Sequence, residues 1–329
     1  MSSQSTSSVS SAELHAKSEG PRIVFMGTPD FAVPSLKALV DNGLKPVGVV
    51  TGPDKKRGRG QIVSPTAVKK AALEANIATI LQPEDVRDPQ FAKEIEALKP
   101  DIMVVVAFRI LPVGVFSLSK LGTFNLHGSL LPRYRGAAPI NRAIMAGDTE
   151  TGVTTFLLQE KVDTGNMLLK RSMPIGPNET AGEVHDRMMV IGAQAVVDTV
   201  HLLLKGEAAL EAQNDAQATP APKIFKEDCE IHWDHLAMDI HNQIRALSPY
   251  PGAFTLLEGK RFKIWESRVV EENKVCGAPG EIVDSETNLV IAAQKGCIQL
   301  LRVQQEGKNA MDGSDFLRGN PIPTGITLG

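Results

Sequence analysis

Residues 101–127 read DIMVVVAFRILPVGVFSLSKLGTFNLH, and the two ends of that stretch decide the fold. The run DIMVVVAF (101–108) is apolar at successive positions, the pattern of a central parallel strand covered on both faces. GTFNLH (122–127) reads as a further strand of the same kind. Working back from it, RIVFM (22–26), PVGVV (46–50) and ATILQ (78–82) predict three more short strands. Helices are predicted between them, over 31–43, 64–76 and 88–100. In the second of these Ser64 reads as the N-cap and Pro65 as the first helical residue. Strands alternating with helices imply βαβ units, so the expected class is α/β with a doubly wound, mostly parallel sheet.

Working forward, the pattern continues through a helix near 139–147, a strand in the TGVTTFLLQ stretch ending at Gln159, a strand over 167–175 and a long helix over 179–204. Residues 21–210 therefore form one predicted domain. Residues 211–228, rich in Ala, Gln and Pro without periodicity, read as a linker. In 229–329 a helix near 235–247 precedes about five short strands separated by Gly, Asn and Asp turns. That spacing predicts a small closed β-barrel of OB-like form. The Ser-rich opening, 1–20, lacks an apolar core and reads as a disordered leader rather than a secretory signal.

Composition narrows the function. The chain has 329 residues, 35 Lys and Arg against 38 Asp and Glu, and a net charge of −3, so a polyanion would need a local basic patch. Aromatic residues make up only 5%, too few for a surface that binds nucleic acid by rows of stacked rings. The longest apolar run, 102–108, is far short of the roughly 20 residues of a membrane span, so none is expected. Cys229, Cys276 and Cys297 are too scattered for a disulfide framework, and their odd number suits a reducing, cytoplasmic setting.

Several chemistries drop out. The first strand is followed by Gly27-Thr28-Pro29-Asp30-Phe31-Ala32 rather than G-x-G-x-x-G, and neither a P-loop nor a G-x-S-x-G elbow occurs. Cys229, His232 and His235 have ligand-like spacing but no fourth partner nearby, and no metal is expected. In open α/β sheets, ligands lie outside the carboxyl ends of the strands. Asn125 and His127 end such a strand two residues apart, hence on the same face. An amide there can donate to a developing oxyanion, and an imidazole can move a proton near neutral pH. Asp163, read as ending the next strand, would favour the protonated imidazole and fix its tautomer. Asn, His and Asp at one sheet edge suit acyl transfer to an amine.

The sequence Asn125-x-His127-x-Ser129-Leu130-Leu131-Pro132, with Asp163-Thr164-Gly165 farther on, resembles the active-site signature of the 10-formyltetrahydrofolate-dependent formyltransferases. The likeness covers residues 22–329 and includes Gly27 to Ala32, Pro53-Asp54 with Gly58-Arg59-Gly60, Arg133 to Ile140, Gly147-Asp148 to Thr154, and Lys223-Ile224 through Trp233. It implies 10-formyltetrahydrofolate as co-substrate, with no metal. Asn125 would hold the formyl oxygen, His127 would act as general base and then acid, and Asp163 would support the imidazole. Ser129, Leu130, Leu131 and Pro132 would position the folate. Phe108, Ile110 and Leu111, within 104–111, would line the pterin pocket together with 162–165. The chain departs from the family pattern at Ala107-Phe108-Arg109-Ile110-Leu111-Pro112, which is one residue shorter, and Arg109 receives no role.

The likeness is strongest to members acting on aminoacyl-tRNA. It implies initiator methionyl-tRNA as the acceptor and an enzyme working as a cytoplasmic monomer away from membranes. The loop Asp54-Lys55-Lys56-Arg57-Gly58-Arg59-Gly60 then becomes the tRNA contact, with Lys55, Lys56, Arg57 and Arg59 tracking phosphates. Residues 229–329 carry more acidic than basic side chains. For them to bind tRNA, Arg245, Lys260, Arg261, Lys263 and Arg302 would have to share a face, while Trp233, Phe254, Phe262 and Trp265 fill the barrel. The alternatives are the same chemistry on a small amine, such as an amino-sugar nucleotide or glycinamide ribonucleotide, or an inactive RNA-binding protein. The last predicts loss of Asn125, His127 or Asp163, and all three are present.

Overall fold

The computed structural model describes residues 20–57 and 62–329. The predicted leader, apart from Gly20, and Arg59 lie outside the described residues. The chain divides into two compact units, one running to Leu126 with Val196–Ala209 added, the other comprising His127–Ala195 and Leu210–Gly329.

The first unit contains β1 (Ile23–Gly27), α1 (Val33–Asp41), β2 (Gly48–Val50), a hairpin of β3 (Lys55–Arg57) and β4 (Ile62–Ser64), α2 (Ala67–Glu74), β5 (Ile80–Leu81), α3 (Pro89–Ala97), β6 (Ile102–Val106), the single turn α4 (Val113–Phe116) and most of β7 (Thr123–His127). The strands β5, β2, β1, β6 and β7 lie side by side in that order, all parallel. Chain order runs outward one way from β1 and the other way from β6, so the winding reverses between these two strands. That reversal is where open α/β sheets bind ligands. Every residue of β1 and β6 is buried, as their unbroken apolar runs require. The helix expected over 64–76 begins later than predicted. Thr66, not Ser64, is its N-cap, because the Thr66 hydroxyl accepts from the Lys69 amide while Ser64 is taken into β4.

The second unit carries β8 (Arg135–Gly136), α5 (Pro139–Met145), the antiparallel hairpin β9 (Glu150–Leu157) and β10 (Met167–Pro174), and the start of α6 (Ala181–Lys205). Asp163 does not end a strand as expected. β9 stops at Leu157, and Asp163 sits in the turn leading to β10 with a positive φ of 55°. The segment read as linker is ordered. Glu211 bridges Met167, a short helical turn covers Asp215–Gln217, and β11 (Pro220–Ala221) pairs in parallel with β8.

Beyond it come α7 (Ala237–Ala246), β12 (Ala253–Leu257), β13 (Lys260–Glu271), β14 (Ile282–Asp284), β15 (Leu289–Ala292), β16 (Cys297–Gln305), β17 (Met311–Asp312) and α8 (Gly313–Gly319). The antiparallel order β12-β13-β16-β15-β14, with β17 on β16, makes a half-barrel sheet in keeping with the OB-like form expected. Its core holds Trp233, Ile244, Phe262, Ile298 and Phe316. Each such side chain is worth roughly 2 kcal/mol when fully buried.

One expectation from composition needs correction. Cys276 and Cys297 are joined as a disulfide, because the Val275–Gly296 bridge brings segments 21 residues apart in sequence side by side. Helix α6 is long and apolar enough to cross a membrane by length and composition, although no single apolar run announces it. Its residues Val184, Met188, Val196 and Val200 are fully buried within the protein itself.

Candidate active site

The carboxyl ends of β1, β6 and β7 set the stage. Gly27 closes β1 where a Cβ would stand 2.6 Å from that of Ala32 and 2.9 Å from the Val106 carbonyl oxygen, so only glycine lets the strand end so close to β6. Just past β6, Ala107 takes a positive φ of 46° and turns the chain outward. Phe108 is half-buried there, Ile110 is 74% exposed, and Leu111 is buried. Arg109 braces this segment. Its two terminal nitrogens donate to the carbonyls of Pro83 (2.6 Å) and Glu84 (2.7 Å), and its guanidinium lies over the Phe108 ring. The rim after β6 is therefore held by its own arginine.

Asn125 is half-buried on β7 and His127, two residues on, is buried. The His127 Nε2 stands 2.8 Å from the Tyr134 carbonyl oxygen. A carbonyl only accepts, so Nε2 carries the hydrogen and donates it, leaving Nδ1 with the lone pair in the neutral ring. The tautomer is fixed by Tyr134, not by Asp163 as the sequence suggested. Nδ1 faces Asp163 Oδ2 at 3.9 Å, within ion-pair range but too long for a hydrogen bond. The carboxylate thus lies on the side of the ring that carries the lone pair. Asp163 Oδ2 is held by the Gly136 amide, which donates to it at 2.9 Å. The Phe156 ring meets the imidazole edge-on.

The 129–132 turn is stapled from within. Ser129 is fully buried, and its hydroxyl donates to the Arg133 carbonyl at 2.7 Å. Thr154 Oγ1 donates to the Ser129 carbonyl and accepts from the Leu131 amide. Leu131 packs against Phe156 and Met167. The Ser129 hydroxyl and the Leu131 side chain are therefore engaged in the fold, whereas Leu130 and Pro132 are half-buried.

Sequence reading gave no role to Tyr134, although it lies inside a motif singled out above. It has a positive φ of 61° and donates its backbone N–H to Thr219 Oγ1. Its hydroxyl donates to Asp148 Oδ2 at 2.8 Å. Burial, reinforced by Asp148, pushes this phenol up to about 12, so it remains a neutral donor. The spacing of Tyr134 from His127 signals nothing, since the pairing depends on a turn whose shape is set elsewhere.

The basic hairpin is described at its stem. Lys55, Lys56 and Arg57 of β3 pair with Ser64, Val63 and Ile62 of β4, and Lys55 is exposed. Below the stem, Asp54 accepts from Lys69 Nζ (2.6 Å) and Gln82 Nε2 (2.7 Å). The hydrogen bond from Lys69, then that from Gln82, holds the Asp54 carboxyl below its ordinary range. In the half-barrel, Arg261 stacks on Phe254 and Lys263 on Trp265, and the alternation of β13 puts both cations on its outer face. Arg245 is different: it is buried, with Nη1 near the carbonyls of Gly176 and Glu179, and is unavailable to a phosphate. Trp233, Phe254 and Phe262 are buried as expected, while Trp265 is half-buried beneath Lys263.

Comparison with known proteins agrees with this geometry. The formyl transferase family matches residues 21–200, and the formyl transferase C-terminal domain matches residues 223–321. The chain belongs to the formyl transferase family. Among its relatives, the methionyl-tRNA formyltransferase of Porphyromonas gingivalis is 48% identical over 313 residues, spanning 92% of this chain and 97% of that protein. The methionyl-tRNA formyltransferase of Chlorobium luteolum is 48% identical over 304 residues, spanning 91% and 96%. Among solved structures, an N-formyltransferase from Helicobacter canadensis, in complex with folinic acid and dTDP-3-aminofucose, shares the fold with a TM-score of 0.66 at 22% identity, over 87% of this chain and 100% of that one.

Proposed function

We propose that this chain transfers the formyl group of 10-formyltetrahydrofolate to the α-amine of initiator methionyl-tRNA. The observation that carries the reading is the 48% identity to methionyl-tRNA formyltransferases along almost their whole length. The neighbour in complex with dTDP-3-aminofucose, at 22% identity, shows a shared fold alone. The disposition of His127 supports the chemistry. In this reading the amine attacks the formyl carbon, and His127 Nδ1 takes the proton that the nitrogen sheds. Asn125 donates to the oxygen as it becomes an oxyanion. The bond from carbon to the folate N10 then breaks, and the proton on Nδ1 passes to the departing nitrogen, so the imidazole ends as it began. Asp163 stabilises the imidazolium between the two transfers.

Phe108, Ile110 and Leu111, with Leu130, Pro132 and the backbone around Ser129 and Leu131, are assigned to folate. The place of the first three supports this, since they follow β6 at the reversal of strand order. Lys55, Lys56, Arg57 and Arg59 are assigned to the acceptor's phosphates, and the exposure of Lys55 on the hairpin after β2 is consistent with that. The enzyme is taken to work as a monomer in the cytoplasm, without membrane attachment. The test is incubation with 10-formyltetrahydrofolate and three acceptors: charged initiator methionyl-tRNA, charged elongator methionyl-tRNA and an amino-sugar nucleotide. Formylation of the initiator alone is expected; formylation of the amino sugar in place of tRNA would overturn the reading.

A further inference from the structure

The segment between the two family-matched regions contains one side chain with all its hydrogen-bonding capacity engaged at or beside the Asp163 turn. Gln213 Nε2 donates to the carbonyls of Asp163 (2.9 Å) and Gly165 (2.8 Å). Its Oε1 accepts from Nε (2.9 Å) and Nη2 (2.7 Å) of Arg135. The orientation of the carboxamide is unambiguous, because arginine only donates and backbone carbonyls only accept. The Arg135 fork fixes the plane of the amide, and the amide fixes two carbonyls two residues apart.

Those two carbonyls define the turn. Asp163 adopts a left-handed conformation, and Gly165 has no room for a Cβ, which would collide with the Leu157 carbonyl. The same segment also steadies the other end of the carboxylate. Asp163 Oδ2 accepts from the Gly136 amide, and Gly136 pairs with Ala221 where β8 meets β11. Residues 213–221 thus hold both the backbone that bears Asp163 and the amide that receives its side chain.

We propose that Gln213 is a positioning residue for the formyl transfer, acting through Asp163 to set the distance between its carboxylate and His127. This rests on the catalytic roles proposed above for His127 and Asp163. The starting separation is 3.9 Å, so rotation of the turn by about an ångström decides whether the imidazolium is supported, and displacements of that size cost about 10²-fold in rate.

The test measures kcat and KM for both substrates in Gln213→Ala, Asp163→Asn and the double variant, with Asp215→Ala as control. Asp215 also contacts Arg135 but is 71% exposed and makes no bond to the turn among those described, so Asp215→Ala should stay within about twofold of wild type. Gln213→Ala should lower kcat about 10- to 100-fold with KM for tRNA and folate nearly unchanged. In the Asp163→Asn background it should cost less than about twofold more, because it acts through the carboxylate already removed. Should Gln213→Ala not fold, Gln213→Glu gives the same reading, as it keeps the volume but turns an oxygen toward two carbonyls. A kcat within twofold of wild type, a rise in KM alone, or losses that multiply in the double variant would each overturn the proposal. Full activity in Asp163→Asn would instead defeat the catalytic reading of Asp163 itself, so the two failures are distinguishable.

Discussion

The turn that carries Asp163 and the hairpin that carries Lys55 are both loops, yet they are held at different points. The turn is fixed by bonds from residues 27 to 50 positions away in sequence: the Gly136 amide on its carboxylate and Gln213 on its carbonyls. The hairpin is gripped only below its stem, by the trio Asp54, Lys69 and Gln82, whose bonds span 13 to 28 positions within one βαβ unit. The difference fits what each is proposed to do. A carboxylate proposed to support proton transfer tolerates little displacement, and bonds to its own oxygen and carbonyls suit that role. Attraction to phosphates acts over a Debye length of about 8 Å at physiological salt, and a cation can meet it from many positions.

Breaking the fixed region should have the largest effect. His127→Ala should lower kcat about 10²- to 10⁴-fold, the usual range for a general acid–base, with the circular dichroism spectrum unchanged. A variant keeping more than about a tenth of the wild-type rate would remove His127 from the proton path. The recognising region should respond differently. Charge reversal at Lys55 or Arg59 should raise KM for tRNA by about tenfold and flatten its salt dependence, leaving turnover at saturation nearly intact. An equal loss with a small amine acceptor would erase the contrast between the two loops.

Loosening the hairpin at its root should matter less. Asp54→Ala should raise KM for tRNA by about two- to threefold, since the β3–β4 pairing remains. A fall in kcat instead would mean that this trio serves the chemistry. The smallest effect concerns stability. His241 is buried against Ser267 and the Pro177 carbonyl, and burial, aided by Arg245 and opposed by that carbonyl, holds it below its ordinary 6.5. The unfolded chain therefore takes up a proton first as pH falls. The stability this residue contributes is complete above 6.5 and declines below it, toward the folded value. Thermal melts of wild type should lose midpoint temperature below that pH, and His241→Gln should flatten the slope.

Much of the molecule was legible because it depends on near neighbours in sequence. The five parallel strands followed from apolar runs such as 102–106, and Asn125 and His127 from their alternate spacing on a strand end. The family signature rested on the same local motifs. Where expectation and structure part, a contact outside the helix or strand in question intervenes. Thr66 displaces Ser64 as a cap because Ser64 has a partner on β3. Arg245 reads as a surface cation and is buried against the Gly176 and Glu179 carbonyls.

The amino-acid order alone determined an α/β sheet, the strand end that bears the imidazole, and the family, since period-two and period-3.6 patterns are set by residues a few positions apart. Only tertiary structure decided which nitrogen of His127 is free, where the Asp163 carboxylate points, and that a segment resembling a spacer carries Gln213. The first depends on a carbonyl seven residues on in an irregular turn and the others on bonds spanning 27 to 50 residues, and nothing in the local periodicity of a chain records where such contacts close.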